Sequence, residues 1–142
     1  YEVSSWMAKE QRDPSMIAPA SPSPDIWNPD VALKRMDNDL GLLTALVEYF
    51  FEDAPVLMNE LPLAISRTDS PEATRAAHSI KGLCANFEAT DAIVLAHQIE
   101  KACRQSEFDV ATRLLPSLHK RIDELRGALV DWTKAQGSSD NN

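Results

Sequence analysis

Between residues 39 and 64 an apolar side chain recurs every three or four positions: Leu43, Val47, Phe50, Ala54, Leu57, Leu61 and Ala64. That is the period of a helix with one buried face and polar residues on the remaining arc. Asp39 is the expected N-cap. Pro55 and Pro62 lie inside the stretch, where each removes a backbone donor, so the helix is expected to kink there or to split in two. The period returns through Ala111, Leu114, Leu118, Ile122, Leu125, Leu129 and Trp132, and predicts a last helix from near Asp109, with Pro116 a blemish near its start. Ile93, Leu95, Ala96, Ile99 and Cys103 predict another, capped by Thr90 or Asp91 and running to about Arg104.

Two further helices are announced by their first turns. In "NPD", Asn28 caps and Pro29 takes the first helical position, which predicts a short helix over 29–36 with Val31, Leu33 and Met36. In "DSPEATRAAHSIKG", Ser70 is the expected cap, Pro71 sits in the first turn and Glu72 near the positive end of the dipole. This helix is expected to reach about Phe87. No segment alternates as a strand would, and there is no internal repeat. Helices of similar length with short connections predict an all-α fold, an antiparallel four-helix bundle with a short extra N-terminal helix.

The first 28 residues lack this periodicity. Pro14, Pro19, Pro22 and Pro24 crowd together, as in "MIAPASPSPDIW", and predict a flexible Pro/Ser-rich linker over 1–28. Trp6, Met7, Met16 and Ile17 are its apolar exceptions. The domain is then expected over 29–134 and a disordered tail over 135–142, around "GSSDNN". The chain opens on Tyr1 rather than methionine, which suggests a piece of a longer protein.

A chain of 142 residues fits one domain with one substantial core. Its net charge of −8 speaks against nucleic acid, whose affinity comes from neutralising phosphates with Lys and Arg, and against a polybasic membrane surface. No apolar run approaches the length of a membrane span, and no signal peptide is visible. Four glycines leave no glycine-rich phosphate loop, hence no ATP site. Cys84 and Cys103 read as reduced, buried thiols on neighbouring helices, because two cysteines without a CxxC do not make a disulfide framework. Three scattered histidines show no ligand spacing for a metal.

One glycine is harder to place. Gly82 stands inside a predicted helix, where it costs about 1 kcal/mol relative to alanine. At about 100° per residue, Ala77, Ile80, Cys84 and Phe87 fall on the side opposite His78, with Leu83 flanking them, and form the core stripe. Thr74, Lys81, Gly82 and Ala85 fall within about 60° of His78, with Arg75 at the edge. His78 is therefore expected to face solvent, with a cation beside it and small residues around it. A solvated imidazole ordinarily titrates at about pH 6.5, so its neutral nitrogen is available as a nucleophile near neutral pH. Lys81 is placed to stabilise the charge of a transferring phosphoryl group, and Gly82 to let a partner approach. The same spacing also arises in plain surface histidines; His97 and His119 have no comparable setting and read as surface or partly buried residues.

The segment "AHSIKGLCANFEA" resembles the signature of histidine-containing phosphotransfer (HPt) domains, roughly A-H-x-[LI]-K-G followed by small residues, an apolar position and G-A. "LLTALVEYFFEDAPVLMNEL" resembles the family's L-x-x-F-x-x-D-x-P helix, and "AHQIEKACR" the segment that packs beside the active helix. The resemblance spans about Pro29 to Trp132. It implies that His78 is the phosphoacceptor, that Lys81 contacts the phosphoryl oxygens and that Gly82 forms the approach surface. Arg104 matches a position near the histidine in some members; Arg75 and Ala85 are secondary candidates. Two positions depart from the pattern. Leu83 replaces a small residue and is expected to turn inward; Glu88 replaces the glycine near the helix end and is expected to pair with Lys81 or to tune docking.

The resemblance further implies a phosphocarrier in a multistep His–Asp phosphorelay. His78 would accept a phosphoryl group from one receiver-domain aspartate and pass it to another. The domain would hold no cofactor, with Mg²⁺ on the receiver. Receivers would be transient partners, without nucleic acid or direct membrane contact, and the isolated domain would be monomeric. Its expected setting is the C-terminal module of a hybrid sensor histidine kinase, a cytoplasmic position at the end of a membrane-anchored sensor. Val31, Met36 and Leu40 are candidates for an apolar docking rim. The rival is a non-catalytic helical adaptor, in which His78 is occluded or dispensable. An enzyme with a pocket fares worst, because the helix phases bring together no Ser/His/Asp or paired-carboxylate arrangement.

Overall fold

The computed structural model describes the backbone of residues 26–140 and the side chains of residues 26–136. The chain forms five helices: α1 (Pro29–Arg35), α2 (Leu40–Ser66), α3 (Ser70–Ala85), α4 (Thr90–Arg104) and α5 (Phe108–Asp140). The long four close a ring. Each packs on the next, α5 returns to α2, and α1 lies against α2. The described residues are helical with short connections and no strand, the predicted bundle with its short leading helix.

The connections are short because the helices end tightly. The amides of Asn38, Asp69, Ala89 and Glu107 bond back to the carbonyls of Leu33, Ala64, Cys84 and Ala102. These are Schellman-type closures, which place a left-handed residue just past the helix. Glycine usually fills that place; here non-glycine residues do, including Asp37, Thr68, Glu88 and Ser106 at φ between 52° and 59°.

Several local expectations are revised. Of the two outcomes expected at Pro55 and Pro62 the split does not occur: α2 is one helix, because its inward residues Leu43, Val47, Phe50, Ala54, Leu61 and Ala64 are buried along its length. Tertiary packing of that face outweighs two lost backbone bonds. Asp39 caps it as expected, its carboxylate accepting from Leu42 N. The cap of α3 is Asp69, which accepts from Glu72 N, and not Ser70. Ser70 begins the helix instead and donates its hydroxyl to Cys103 O at 2.6 Å, a stitch from α3 to α4. α4 starts after Ala89 with no side-chain cap, although Thr90 and Asp91 were the expected caps.

The linker expected over 1–28 lies outside the described residues except for its last three. Those three belong to the domain: Ile26 packs on the core and Trp27 is buried. Trp27 meets Phe87 and Trp132 edge-on at 5.9 Å each, and Phe87 meets Phe50 at 5.8 Å. The Asn28 amide also bonds to Phe87 O. This aromatic cluster fixes the C-terminal end of α3. The tail expected from 135 is helical in its backbone to Asp140, since each added residue of a formed helix gains a bond for little further ordering.

Candidate functional site

α3 turns Ala73, Ala76, Ala77, Ile80 and Cys84 into the core and leaves His78 on its outer arc. The His78 side chain is 68% exposed. Gly82 is exposed one turn on, and a Cβ built there meets nothing within 4 Å. The fold itself therefore has room for a side chain at 82.

The neighbouring helix supplies what α3 lacks. Glu100 of α4 is a carboxylate only 4% exposed, the one buried charged residue among those described. Its Oε2 lies 3.0 Å from His78 Nδ1 and accepts from Arg104 Nη2 at 2.7 Å. Its Oε1 has Lys81 Nζ at 2.7 Å, an ion pair off the hydrogen-bonding direction. A buried carboxylate needs such partners, because desolvation disfavours its charge. Burial pushes the Glu100 carboxyl up, but Lys81, His78 and Arg104 together outweigh it and hold the group down at about 2. Glu100 is thus ionised near neutral pH and can only accept. In the neutral ring the hydrogen therefore sits on His78 Nδ1, and Nε2 carries the lone pair.

Arg104 lies in the site. It lines a groove on one side of His78 together with Ser70, Thr74, Arg75 and Glu100. Arg75 lies on the same groove but pairs with Glu72. Ala85 is half-buried, and its carbonyl accepts from Arg35 Nη1 at 3.4 Å. Leu83 is half-buried and packs against the core at the α2–α3 groove, beside Gly82. Of the docking-rim candidates, Val31 and Leu40 are exposed and Met36 is half-buried.

Glu88 does not meet Lys81. It pairs with Arg35 of α1, and Lys81 is engaged by Glu100. Glu88 also stands at φ 54°, the left-handed position just past α3 where glycine carries no Cβ penalty. The ion pair ties α1 to the end of α3.

The sequence reading missed Glu100 and placed His97 outside any site. His97 is exposed, as expected of a surface residue, but its Nδ1 lies 3.4 Å from Lys81 Nζ. The signal for Glu100 was present: it lies about 40° from Ala96 on a helical projection, inside the apolar arc of α4. Cys84 and Cys103 are free and buried, and burial pushes the Cys84 thiol up to about 12.

The Hpt domain family model matches residues 45–128, more than half of the chain. The chain belongs to the Hpt family. The match takes in most of α2, all of α3 and α4 and most of α5, so His78, Lys81, Gly82, Glu100 and Arg104 all lie within the Hpt domain. The family's members carry phosphoryl groups on histidine in phosphorelays and interact with response-regulator receiver domains. No curated protein and no solved structure matches this Hpt chain. No described helix is long and apolar enough to cross a membrane.

Proposed function

We propose that this Hpt domain is a phosphocarrier whose acceptor atom is Nε2 of His78. One observation carries the reading: an outward imidazole, 68% exposed, anchored through Nδ1 to an ionised carboxylate at 3.0 Å. The Nε2 lone pair attacks phosphorus of an aspartyl phosphate on a receiver domain. The N–P bond forms as the bond from phosphorus to the carboxylate oxygen breaks, and the aspartate leaves as carboxylate. The ring becomes cationic, and Nδ1–H donating to Glu100 compensates that charge. Attack by a second receiver's aspartate reverses these steps and restores the neutral ring.

Lys81 and Arg104 flank the histidine and supply positive charge where the phosphoryl oxygens gather. Gly82 leaves the space in which the receiver's edge comes close. The phosphoryl group originates on a receiver aspartate, and the Mg²⁺ that such transfer uses belongs to the receiver's acidic pocket. The encounter is transient and the isolated domain a monomer. We place the domain as the C-terminal module of a hybrid sensor histidine kinase, in the cytoplasm.

The test is uptake of label from a phosphorylated receiver. The expected product is acid-labile and base-stable, and is absent in His78→Gln. Uptake by His78→Gln would move the acceptor elsewhere. No uptake by the wild-type domain from any of a panel of receivers would leave the non-catalytic adaptor.

A further inference from the structure

α2 has a second apolar line that its own bundle does not use. Leu42, Tyr49, Val56 and Leu63 are 45%, 56%, 53% and 45% exposed. Each follows the last by seven residues. Seven residues fall about 20° short of two full turns of a straight helix, so the four form one slowly winding stripe, about 32 Å long. It lies roughly 120° around α2 from the centre of the buried face. Three equal steps of seven suit a partner that is itself a helix, wrapped in the left-handed sense. A strand or polyproline segment would ask for a different period.

The edges of the stripe are acidic. By helical phase Glu52 borders one side, with Glu48 farther round on that side, and Asp53 and Glu60 border the other. α2 contains no Lys or Arg at all. Among the described residues Glu48, Glu52 and Asp53 have no ion-pair partner. Arg75 of α3 faces Glu60 but is already paired with Glu72. Val56 and Asp53 also line the groove that holds Ser79, Gly82 and Asn86 of α3, so the stripe borders the surface around His78.

We infer that this flank of α2 is a docking seam for a partner helix with an apolar seven-residue repeat edged by Lys or Arg. Charge decides the occupant. A second copy would set eight acidic side chains against each other with no base between them, and an anionic lipid surface would be repelled in the same way. A helix with basic edges neutralises both borders while covering the four apolar side chains. The inference stands on α2 alone and is independent of which atom carries phosphate.

The probe is a labelled four-heptad synthetic peptide with leucine at the seam positions and lysine at the flanks, titrated with the full chain by fluorescence anisotropy. Its twin carries glutamate at the flanks. The lysine peptide is expected to bind at least about tenfold tighter than its twin, and to lose about tenfold on Tyr49→Ser with Val56→Ser. Glu52→Lys with Asp53→Lys, which leaves two acidic and two basic side chains on the borders, is expected to abolish the preference. These side chains are exposed, and circular dichroism checks that each variant is folded. Equal binding of the two peptides would overturn the seam. So would indifference to the Tyr49 and Val56 changes, or a dimer in sedimentation that Tyr49→Ser dissolves.

Discussion

Glu100 holds His78 through Nδ1 at 3.0 Å, and does so from a different helix. The contact sets the tautomer of the ring and leaves Nε2 as its free nitrogen. It also ties the ring to Lys81 and Arg104, which share the same carboxylate. In the proposed phosphocarrier Glu100 is therefore a positioning residue: it acts on the phosphoryl group only through the groups it orients.

Replacing Glu100 separates its charge from its geometry. Glu100→Gln keeps an acceptor for Nδ1–H, whereas Glu100→Ala keeps none and frees Lys81 and Arg104. A hydrogen bond to a charged group contributes about 1.5–3 kcal/mol, so Glu100→Ala is expected to slow transfer by about tenfold or more. Glu100→Gln is expected to slow it less. Timed transfer from a phosphorylated receiver gives the rates, and thermal melts report whether the bundle is intact. Equal rates for Ala and Gln would mean that the tautomer is set without residue 100.

Acid stability follows from the same carboxyl. Its native value of about 2 lies below the ordinary 4.5, so the ionised form stabilises the folded state fully above pH 4.5. That contribution, on the order of 3 kcal/mol as an upper figure, is lost as pH falls from 4.5 towards 2. Urea midpoints at pH 6 and pH 3 are expected to differ more for wild type than for Glu100→Gln. A variant with the same pH dependence as wild type would count against the network as its source.

Gly82 gives a case in which stability and function are expected to part. A Cβ at 82 meets nothing within 4 Å, and alanine is the better helix former. Gly82→Ala is expected to stabilise the isolated domain by about 0.5–1 kcal/mol and to slow transfer from a receiver. Bulkier residues should slow it further without unfolding the domain. Unchanged transfer with a tryptophan at 82 would remove the access role.

The helices were legible because their evidence is local. Apolar residues at three- and four-residue spacing mark a buried face whatever that face packs against, and capping residues at 28 and 39 act within one turn. The outward phase of His78, Lys81 and Gly82 followed from the same periodicity. Errors gathered where a neighbour decides. Ser70 resembles a cap but donates to Cys103 O, and Trp27 follows a Pro-rich stretch yet completes an aromatic cluster with Phe87 and Trp132. Glu88 was matched to Lys81 by position on one helix, and Arg35 reached it from another.

The sequence by itself determined an all-helical domain, the face on which His78 stands and the small residue beside it, because helical phase depends only on residue order. The tertiary structure alone decided that Glu100 lies beneath that face and that Lys81 and Arg104 converge on it. Those groups sit on two helices, and their distances depend on how the helices pack side by side. That packing sums weak contacts over the whole core, and no single stretch of the chain records it.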